Sequence, residues 1–144
     1  SFTAISHSDV LCCLEDKLTV LQECRRVITA DGRMCFTVIR LADGLEGTAM
    51  ERALQSGPEF IHSETHYPSM LQSAGWQTIQ QDDITGAFCA SIERMIAAEE
   101  KQSESLRALR GNEANETAQA NWRYKLQAVA DGLILREFFS VVPA

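Results

Sequence analysis

The sequence lacks several features that would place it in a specialised class of protein. With only 3 Pro and 8 Gly in 144 residues, it is neither collagen-like nor low in complexity. The 5 cysteines are an odd number and include no C-x-x-C pair, which favours a reducing cytoplasm over a secreted disulfide framework. No apolar run approaches the roughly 18 residues of a membrane span, and no basic-then-apolar start indicates a signal peptide. The expectation is a soluble, cytoplasmic protein.

Positive charge is also scarce. Lys and Arg total 13 against 20 Asp and Glu, a net charge of −7 at pH 7, which opposes phosphate backbones and acidic membrane surfaces. Neither nucleic acid nor a membrane is an expected partner. Hydrophobic residues make up 45% of the chain and charged residues 23%, which predicts one domain over residues 1–144 with its own core.

The glycines are not spaced to bind a nucleotide. They stand at positions 32, 44, 47, 57, 75, 86, 111 and 132, so no two form a G-x-G pair and no P-loop is present. The sequence therefore predicts no phosphate or nucleotide cradle within these residues.

Strand-like and helix-like segments alternate at the start of the chain. The short apolar run Phe2 to Ser6 predicts a buried strand, and Asp16 is placed to cap an amphipathic helix that continues to Ile28. Gly32 is expected to end this helix in a left-handed conformation. Met34 to Ile39 is almost wholly apolar, as in a strand covered on both faces, so the three segments predict a right-handed βαβ unit.

The rest of the chain continues the α/β pattern. Residues 41–66 contain breakers and predict a lid-like excursion. A helix beginning near Pro68 leads into a strand from Trp76 to about Ile84, too polar for a sheet centre and therefore placed at an edge. Residues 86–131 predict a pair of helices, and Leu133 to Val142 predicts a final apolar strand.

Polar residues cluster where the first predicted strand ends. Ser6, His7, Ser8 and Asp9 occupy this position, and open α/β sheets bind ligands outside the carboxyl ends of their strands. The alternative is that Ser8 or Asp9 caps a helical turn through Leu11 and that His7 is solvated. The sequence does not separate the two interpretations.

Arg40 ends the second predicted strand and lies on the same predicted rim. Its guanidinium could bind an anionic group of a substrate, or it could pair with Asp43 three residues later. Both interpretations stay open.

Two further groups suggest chemistry less strongly. His62 and His66 are four residues apart with Glu64 between them, a spacing that suits a metal only on a helix, whereas Pro68 predicts that the helix starts later. A metal-dependent enzyme therefore ranks last. Cys12 and Cys13 lie in an apolar stretch, where core packing is favoured over a nucleophilic role.

Four segments, in order, resemble class I S-adenosylmethionine-dependent methyltransferases. SHSDVLCCLED, from Ser6 to Asp16, and LQECRRVITADGRMCFTVI, from Leu21 to Ile39, look like that family's fourth strand, following helix and fifth strand. YPSMLQSAGWQTIQQDDIT, from Tyr67 to Thr85, is similar to its next helix and sixth strand. The run from Trp122 to Val142 resembles the last helix and seventh strand of small-molecule methyltransferases. The resemblance covers nearly the whole chain.

The resemblance implies a fold, a cofactor and a reaction. The expected fold is the C-terminal half of a Rossmann-like sheet, with about four strands in mixed orientation and flanking helices, and with the glycine-rich half preceding Phe2. The complete enzyme would transfer a methyl group from S-adenosylmethionine to a small molecule, for which this chain supplies the substrate side. His7 would act as a base or orienting group, and Ser8 and Asp9 would lie near the transferable methyl group.

An assembly and an alternative function follow from the same resemblance. The strand Phe2 to Ser6 would present an unpaired apolar edge, which predicts a homodimer or higher oligomer that buries it. The alternative to a methyltransferase half is a non-catalytic module for small-molecule binding or oligomerisation.

Overall fold

Four strands form one mixed sheet in the order β1-β2-β4-β3 in the computed structural model, which describes all residues from Ser1 to Ala144. The strands are β1 (Phe2–Ser8), β2 (Ile28–Leu41), β3 (Trp76–Asp83) and β4 (Ile134–Pro143). β1 is parallel to β2, and β4 is antiparallel to both β2 and β3. The prediction of a mixed sheet of about four strands is confirmed.

Six helices flank the sheet. They are α1 (Lys17–Val27), α2 (Gly47–Ser56), α3 (Tyr67–Ser73), α4 (Thr85–Lys101), α5 (Ser103–Arg110) and α6 (Asn112–Ala130), and a 3-10 turn (Leu11–Cys13) follows β1. None of these helices combines the length and the apolar character that crossing a membrane requires.

The β1-α1-β2 unit begins as predicted and differs at its second turn. Asp16 caps α1, because its carboxylate accepts hydrogen bonds from the Thr19 backbone N–H at 3.1 Å and from the Thr19 hydroxyl at 2.7 Å. The prediction of a left-handed Gly32 is wrong, since β2 starts directly after α1 and Gly32 lies inside it with no positive φ. A Cβ at this position would come within 2.5 Å of Ile28 Cγ1, so close approach is what requires glycine.

The two edges of the sheet are formed by β1 and β3. The edge position predicted for the strand that begins at Trp76 is confirmed. β1 is less covered than predicted for a buried strand, with Phe2 61% exposed, because no strand of this chain pairs with its outer side. Its outer backbone groups and apolar side chains are therefore open to a partner.

The segment 86–131, for which a pair of helices was predicted, contains three. α4 ends at Lys101, because Gln102 leaves the helical conformation with φ −102° and ψ 17°. α5 and α6 are separated by Gly111, whose φ of 86° is a left-handed value that glycine adopts without strain.

The sheet has a helical layer on each face. Side chains alternate along each strand, so Phe36 and its β4 partner Phe139 point to one face, while Thr37 and its partner Phe138 point to the other. We call the first the α1 face, because Trp76 Nε1 donates there to the Leu21 carbonyl of α1 at 3.0 Å. The second is the α4 face, where α4 packs on β4.

Candidate functional site

A cavity of about 490 Å³ lies at the end of the sheet where the parallel strands β1 and β2 terminate. Its sheet side consists of Arg40, Gln81 and Glu137, and its other walls come from the segment 41–66 and the start of α3. A cavity of this volume accommodates a small organic molecule. It is the first candidate for a binding site.

An ion pair forms the polar floor of the cavity. Arg40 Nε lies 3.1 Å from Glu137 Oε2, and Gln81 Nε2 donates to Glu137 Oε1 at 3.4 Å. Arg40 Nη1 also donates to the Leu41 carbonyl at 2.9 Å and to Asp43 Oδ1 at 3.4 Å. Arg40 thus has the carboxylate partner that the second interpretation of the sequence assigned to it, and a further one on β4.

Two enclosed hydroxyl groups lie close together in the cavity wall. They belong to Tyr67, which is 3% exposed, and to Ser63, whose hydroxyl is near enough to act on that of Tyr67. Burial raises the pKa of Tyr67, so its hydroxyl stays protonated and can donate. Neither hydroxyl oxygen is open to the cavity, so a ligand can bond to one of them only if the wall shifts.

The cavity wall is held in place by Lys17 at the start of α1. Its ammonium donates to the carbonyl oxygens of Phe60 at 2.7 Å, Leu14 at 3.1 Å and His62 at 3.3 Å, and the Phe60 N–H donates to the Cys12 carbonyl at 3.2 Å. Lys17 is only 5% exposed, and burial lowers its pKa below the usual 10.5. The sequence contains no signal for this role, because the carbonyl groups at 60 and 62 are distant along the chain.

A second polar cluster lies on the α4 face, where β1 ends. Arg136 forms a fork on Asp9, with Nε 3.1 Å from Oδ1 and Nη2 2.9 Å from Oδ2. Nη2 also lies 3.2 Å from both the Ser8 and the Thr37 hydroxyl oxygens. Thr37 donates to Asp9 Oδ1 at 3.1 Å, so one side chain from each of three strands and that of Asp9, just after β1, form one network.

This cluster excludes one interpretation of the sequence, a side-chain cap. The proposal that Ser8 or Asp9 caps a helical turn is wrong, because the 3-10 turn starts after Val10 with no side-chain cap. Both side chains bond to Arg136 and Thr37 instead. The sequence did not single out Arg136, since an arginine 127 residues away from Asp9 has no local link to it.

His7 lies on the α1 face, with its ring stacked on Phe36 at 4.8 Å between centroids. Phe36 stacks in turn on Phe139 at 5.2 Å. Both ring nitrogens of His7 are buried without a hydrogen-bond partner, and burial lowers the pKa of the ring below 6.5. The interpretation of His7 as a solvated side chain is therefore wrong, and its ring is held neutral.

The four site residues predicted from the sequence divide between the two faces of the sheet. Ser8 and Asp9 lie together on the α4 face. Arg40 lines the cavity, and His7 is half-buried and stacked on Phe36 on the α1 face. All four share one end of the sheet, but only Arg40 contacts the cavity.

The predicted metal ligands do not converge. His62 contributes to the cavity wall, and His66 is an exposed side chain with its Nδ1 3.9 Å from Asp43 Oδ1. The structure contains no group of three His, Cys, Asp or Glu side chains close enough to hold a metal ion. The metal-dependent alternative therefore has no ligand set.

The two adjacent cysteines have different environments. Cys12 is buried in the core, as expected, and burial raises its pKa to about 11, which keeps the thiol protonated and unreactive. Cys13 is exposed, contrary to expectation, with its Sγ 3.6 Å from the Asp9 carbonyl oxygen. The turn Leu11–Cys13 directs adjacent side chains to opposite sides, which the sequence pattern did not reveal.

Comparison with known proteins places this fold among methyltransferases. No protein-family model matches the chain. A phosphoethanolamine N-methyltransferase from Triticum aestivum is 22% identical over 132 residues, which are 92% of this chain and 26% of the relative.

Two solved structures align with almost the whole chain. A protein from Galdieria sulphuraria described as a sarcosine dimethylglycine methyltransferase has a TM-score of 0.86 at 20% identity, over 99% of this chain and 53% of its own. Phosphoethanolamine N-methyltransferase 2 from Haemonchus contortus, solved with phosphomonomethylethanolamine and S-adenosylhomocysteine, has a TM-score of 0.85 at 17% identity, over 99% of this chain and 34% of its own.

The sheet and its flanking helices are therefore the C-terminal portion of a methyltransferase fold, as the sequence resemblance implied. The chain spans from about a quarter to about half of the length of these relatives. Sequence identities of this size establish the fold, and the reaction has to be argued from the site.

Proposed function

We propose that this chain is the substrate-side part of an S-adenosylmethionine-dependent methyltransferase that acts on a small molecule. One observation carries the proposal: the cavity of about 490 Å³ lies at the strand ends of a sheet with the methyltransferase topology. Ligands of open α/β sheets bind at this end. The hydroxyls of Tyr67 and Ser63, enclosed in the cavity wall, would become available to a polar acceptor after a shift of that wall.

The residues present fit one side of the cofactor. The outer edge of β1 has no strand partner, so this edge would be open to the methyl-donating end. No G-x-G segment is available in these residues for the rest of the cofactor. When bound, S-adenosylmethionine supplies an electrophilic methyl group.

The residues of this chain bind and orient the acceptor. Methyl transfer by direct displacement depends mainly on alignment, so positioning provides most of the catalysis. Tyr67 and Ser63 donate hydrogen bonds to the acceptor, while Arg40, held by Glu137, forms the polar floor. Ser8 and Asp9, at the end of β1, would lie near the methyl-donating part of the cofactor.

His7 acts as the base or orienting group. Its lowered pKa keeps the imidazole neutral and able to accept a proton. Because both nitrogens are buried and His7 does not line the cavity, either role requires that the surroundings of the ring open to the acceptor.

The segment 41–66 closes the cavity as a lid together with the helices of residues 86–131. In support, α2 of this segment is joined to α6 through Arg52 Nη2 and Asp131 Oδ2 at 2.6 Å and through the Tyr124 hydroxyl and Gln55 Oε1 at 3.2 Å. A closed lid would exclude water from the reaction.

The assembly is a homodimer or higher oligomer in the cytoplasm, with the β1 edge buried. The exposure of Phe2 and the unpaired outer side of β1 support the interface, and five free cysteines support a reducing compartment. The same edge supports the second candidate function, a non-catalytic binding or oligomerisation module. Light scattering at tens of micromolar tests the interface, and a monomer there would contradict it.

The function is tested by calorimetric titration of S-adenosylhomocysteine into the natural protein that contains these residues. Methyl-transfer assays with small amines, acids and alcohols follow. Saturable binding at one ligand per chain and turnover with at least one acceptor are expected. Tyr67→Phe, which removes only the hydroxyl, should raise the acceptor KM and leave the affinity for S-adenosylhomocysteine unchanged. Absence of binding up to millimolar ligand would overturn the proposal in favour of the non-catalytic module.

A further inference from the structure

Arg136 is the one charged side chain that joins the end of β1 to the helical layer of the α4 face. Its guanidinium holds both carboxylate oxygens of Asp9, at 3.1 and 2.9 Å. On its other side, the guanidinium lies 5.3 Å from the ring centroid of Phe88 in α4. Neither contact follows from the function proposed above, which assigns no role to Arg136.

The backbone of β4 at Arg136 is tied to α4 as well. The Arg136 N–H donates to the Thr85 hydroxyl oxygen at 3.0 Å, and Thr85 is the first residue of α4. The Ile84 N–H donates to the Arg136 carbonyl at 2.9 Å. The start of α4 and the Asp9 carboxylate therefore share a single anchoring residue.

The backbone of Asp9 has a conformation that its contacts help to hold. It has φ 54° and is the only residue other than glycine with a positive φ in the chain. A left-handed conformation costs an ordinary residue about 1 kcal/mol and persists only where the surroundings enforce it. Here the Asp9 N–H donates to the Thr37 carbonyl at 2.9 Å, and its side chain is gripped by Arg136 and Thr37.

The geometry is that of a fork. In this fork Nε donates to Oδ1 and Nη2 makes a close ionic contact with Oδ2, while the hydrogen bonds of Nη2 go to the Ser8 and Thr37 hydroxyls. The ammonium of a lysine has no such planar arrangement of donors. The Arg136 side chain is 21% exposed, and its Nε and Nη2 are engaged by Asp9, Ser8 and Thr37. It is therefore suited to hold Asp9.

We infer that Arg136 is a positioning residue that keeps the turn after β1 in its left-handed conformation and in a fixed position relative to α4. This inference rests on the proposed function, in which Ser8 and Asp9, at the end of β1, lie near the methyl donor. Loss of the fork lets Asp9 relax to an ordinary conformation, which displaces Ser8 and the strand end. A displacement of about 1 Å is enough to lower a rate by as much as roughly 100-fold.

The first test is independent of catalysis. Hydrogen exchange at the Asp9 amide reports the bond to the Thr37 carbonyl. In Arg136→Met this amide should exchange at least about 10-fold faster than in the unaltered protein, while amides in the middle of α6 keep their rates. Unchanged exchange at Asp9 would overturn the inference, whether or not the protein is an enzyme.

The second test measures kcat and KM of the natural protein that contains these residues. Arg136→Met should lower kcat by about 10- to 100-fold with smaller changes in KM. The kcat of Arg136→Lys should lie between that of Arg136→Met and that of the unaltered protein, because an ammonium keeps the charge and cannot form the fork. Asp9→Gly added to Arg136→Met should recover part of kcat, since glycine adopts a positive φ without an anchor. Arg26→Met, at an exposed pair with Glu23, is the matched control and should leave kcat unchanged.

The outcomes separate the two proposals. Two outcomes would overturn the positioning role alone. One is a kcat of Arg136→Met within twofold of that of the unaltered protein. The other is a loss of kcat that equals the unfolded fraction of Arg136→Met and is not relieved by adding Asp9→Gly. An unaltered protein that neither binds S-adenosylhomocysteine nor transfers methyl groups would overturn the proposed function, and the exchange measurement would still decide the role of Arg136.

Discussion

Lys17 and Phe60 are joined by a hydrogen bond of 2.7 Å from the lysine ammonium to the phenylalanine carbonyl, across 43 residues of sequence. The ammonium has two further carbonyl acceptors and no carboxylate partner among its hydrogen bonds. A buried charge is costly unless hydrogen bonds compensate for it, and here three carbonyl dipoles do so. This arrangement makes one side chain the attachment point of the cavity wall to α1.

Replacement of that side chain should loosen the wall. Lys17→Met keeps the length of the side chain but leaves the carbonyl groups of Phe60 and His62 without their donor, which should cost about 1–3 kcal/mol of stability. Urea denaturation measures the loss, and hydrogen exchange should rise within residues 57–66. Lys101→Met, at an exposed position on α4, is the control. Equal stability of the two variants would contradict the role of Lys17.

The ion pair of Arg40 with Glu137 should show strong coupling. Glu137 is 7% exposed, so Arg40→Met leaves a buried carboxylate without its cation, at a cost of roughly 3 kcal/mol. Adding Glu137→Gln removes that charge and should restore at least about half of the lost stability. A double-mutant cycle measured by urea denaturation gives the coupling. Additive effects of the two substitutions would show that the charges do not interact.

His7 should make stability depend on pH in the range of its titration. Burial lowers its pKa in the folded chain below the unfolded value of 6.5, so the unfolded chain takes up the proton first as pH falls. Stability is therefore full above pH 6.5 and declines as pH falls through 6.5 to the lower folded pKa.

The matched variant for this prediction is His7→Phe, which retains an aromatic ring to stack on Phe36 and cannot titrate. As the pH falls from about 8 to about 5, the stability of this variant should rise relative to that of the unaltered chain, as measured by urea midpoints. A difference that stays constant over this range would show that His7 is not held neutral by burial.

Gly32 should resist substitution for a steric reason. A Cβ there would lie 2.5 Å from Ile28 Cγ1, and Gly32→Ala should cost about 1–3 kcal/mol. Ile28→Ala in the same chain removes the clash, so Gly32→Ala should cost less in that background. Gly86→Ala has open space around the added Cβ and should be neutral or stabilising by up to ~1 kcal/mol. Thermal unfolding compares the variants, and equal losses at both glycines would refute the steric argument.

Several elements could be predicted because their signals are local. The Asp16 cap, the apolar run Met34 to Ile39 and the edge strand starting at Trp76 each depend on residues a few positions apart. Gly32 and Gly111 show the limit of such signals. Both look like breakers in sequence. Gly111 does separate two helices, as predicted, whereas Gly32 lies inside a strand.

The sequence by itself determined the α/β order, the acidic surface charge, the absence of a glycine-rich nucleotide loop and the cluster at the end of β1. Only the tertiary structure decided which partners that cluster meets. Arg136 reaches Asp9 because β4 inserts beside β2, which brings together side chains 127 residues apart. Strand order and register set such contacts, and both depend on the packing of the whole chain, so no local pattern of residues could specify them.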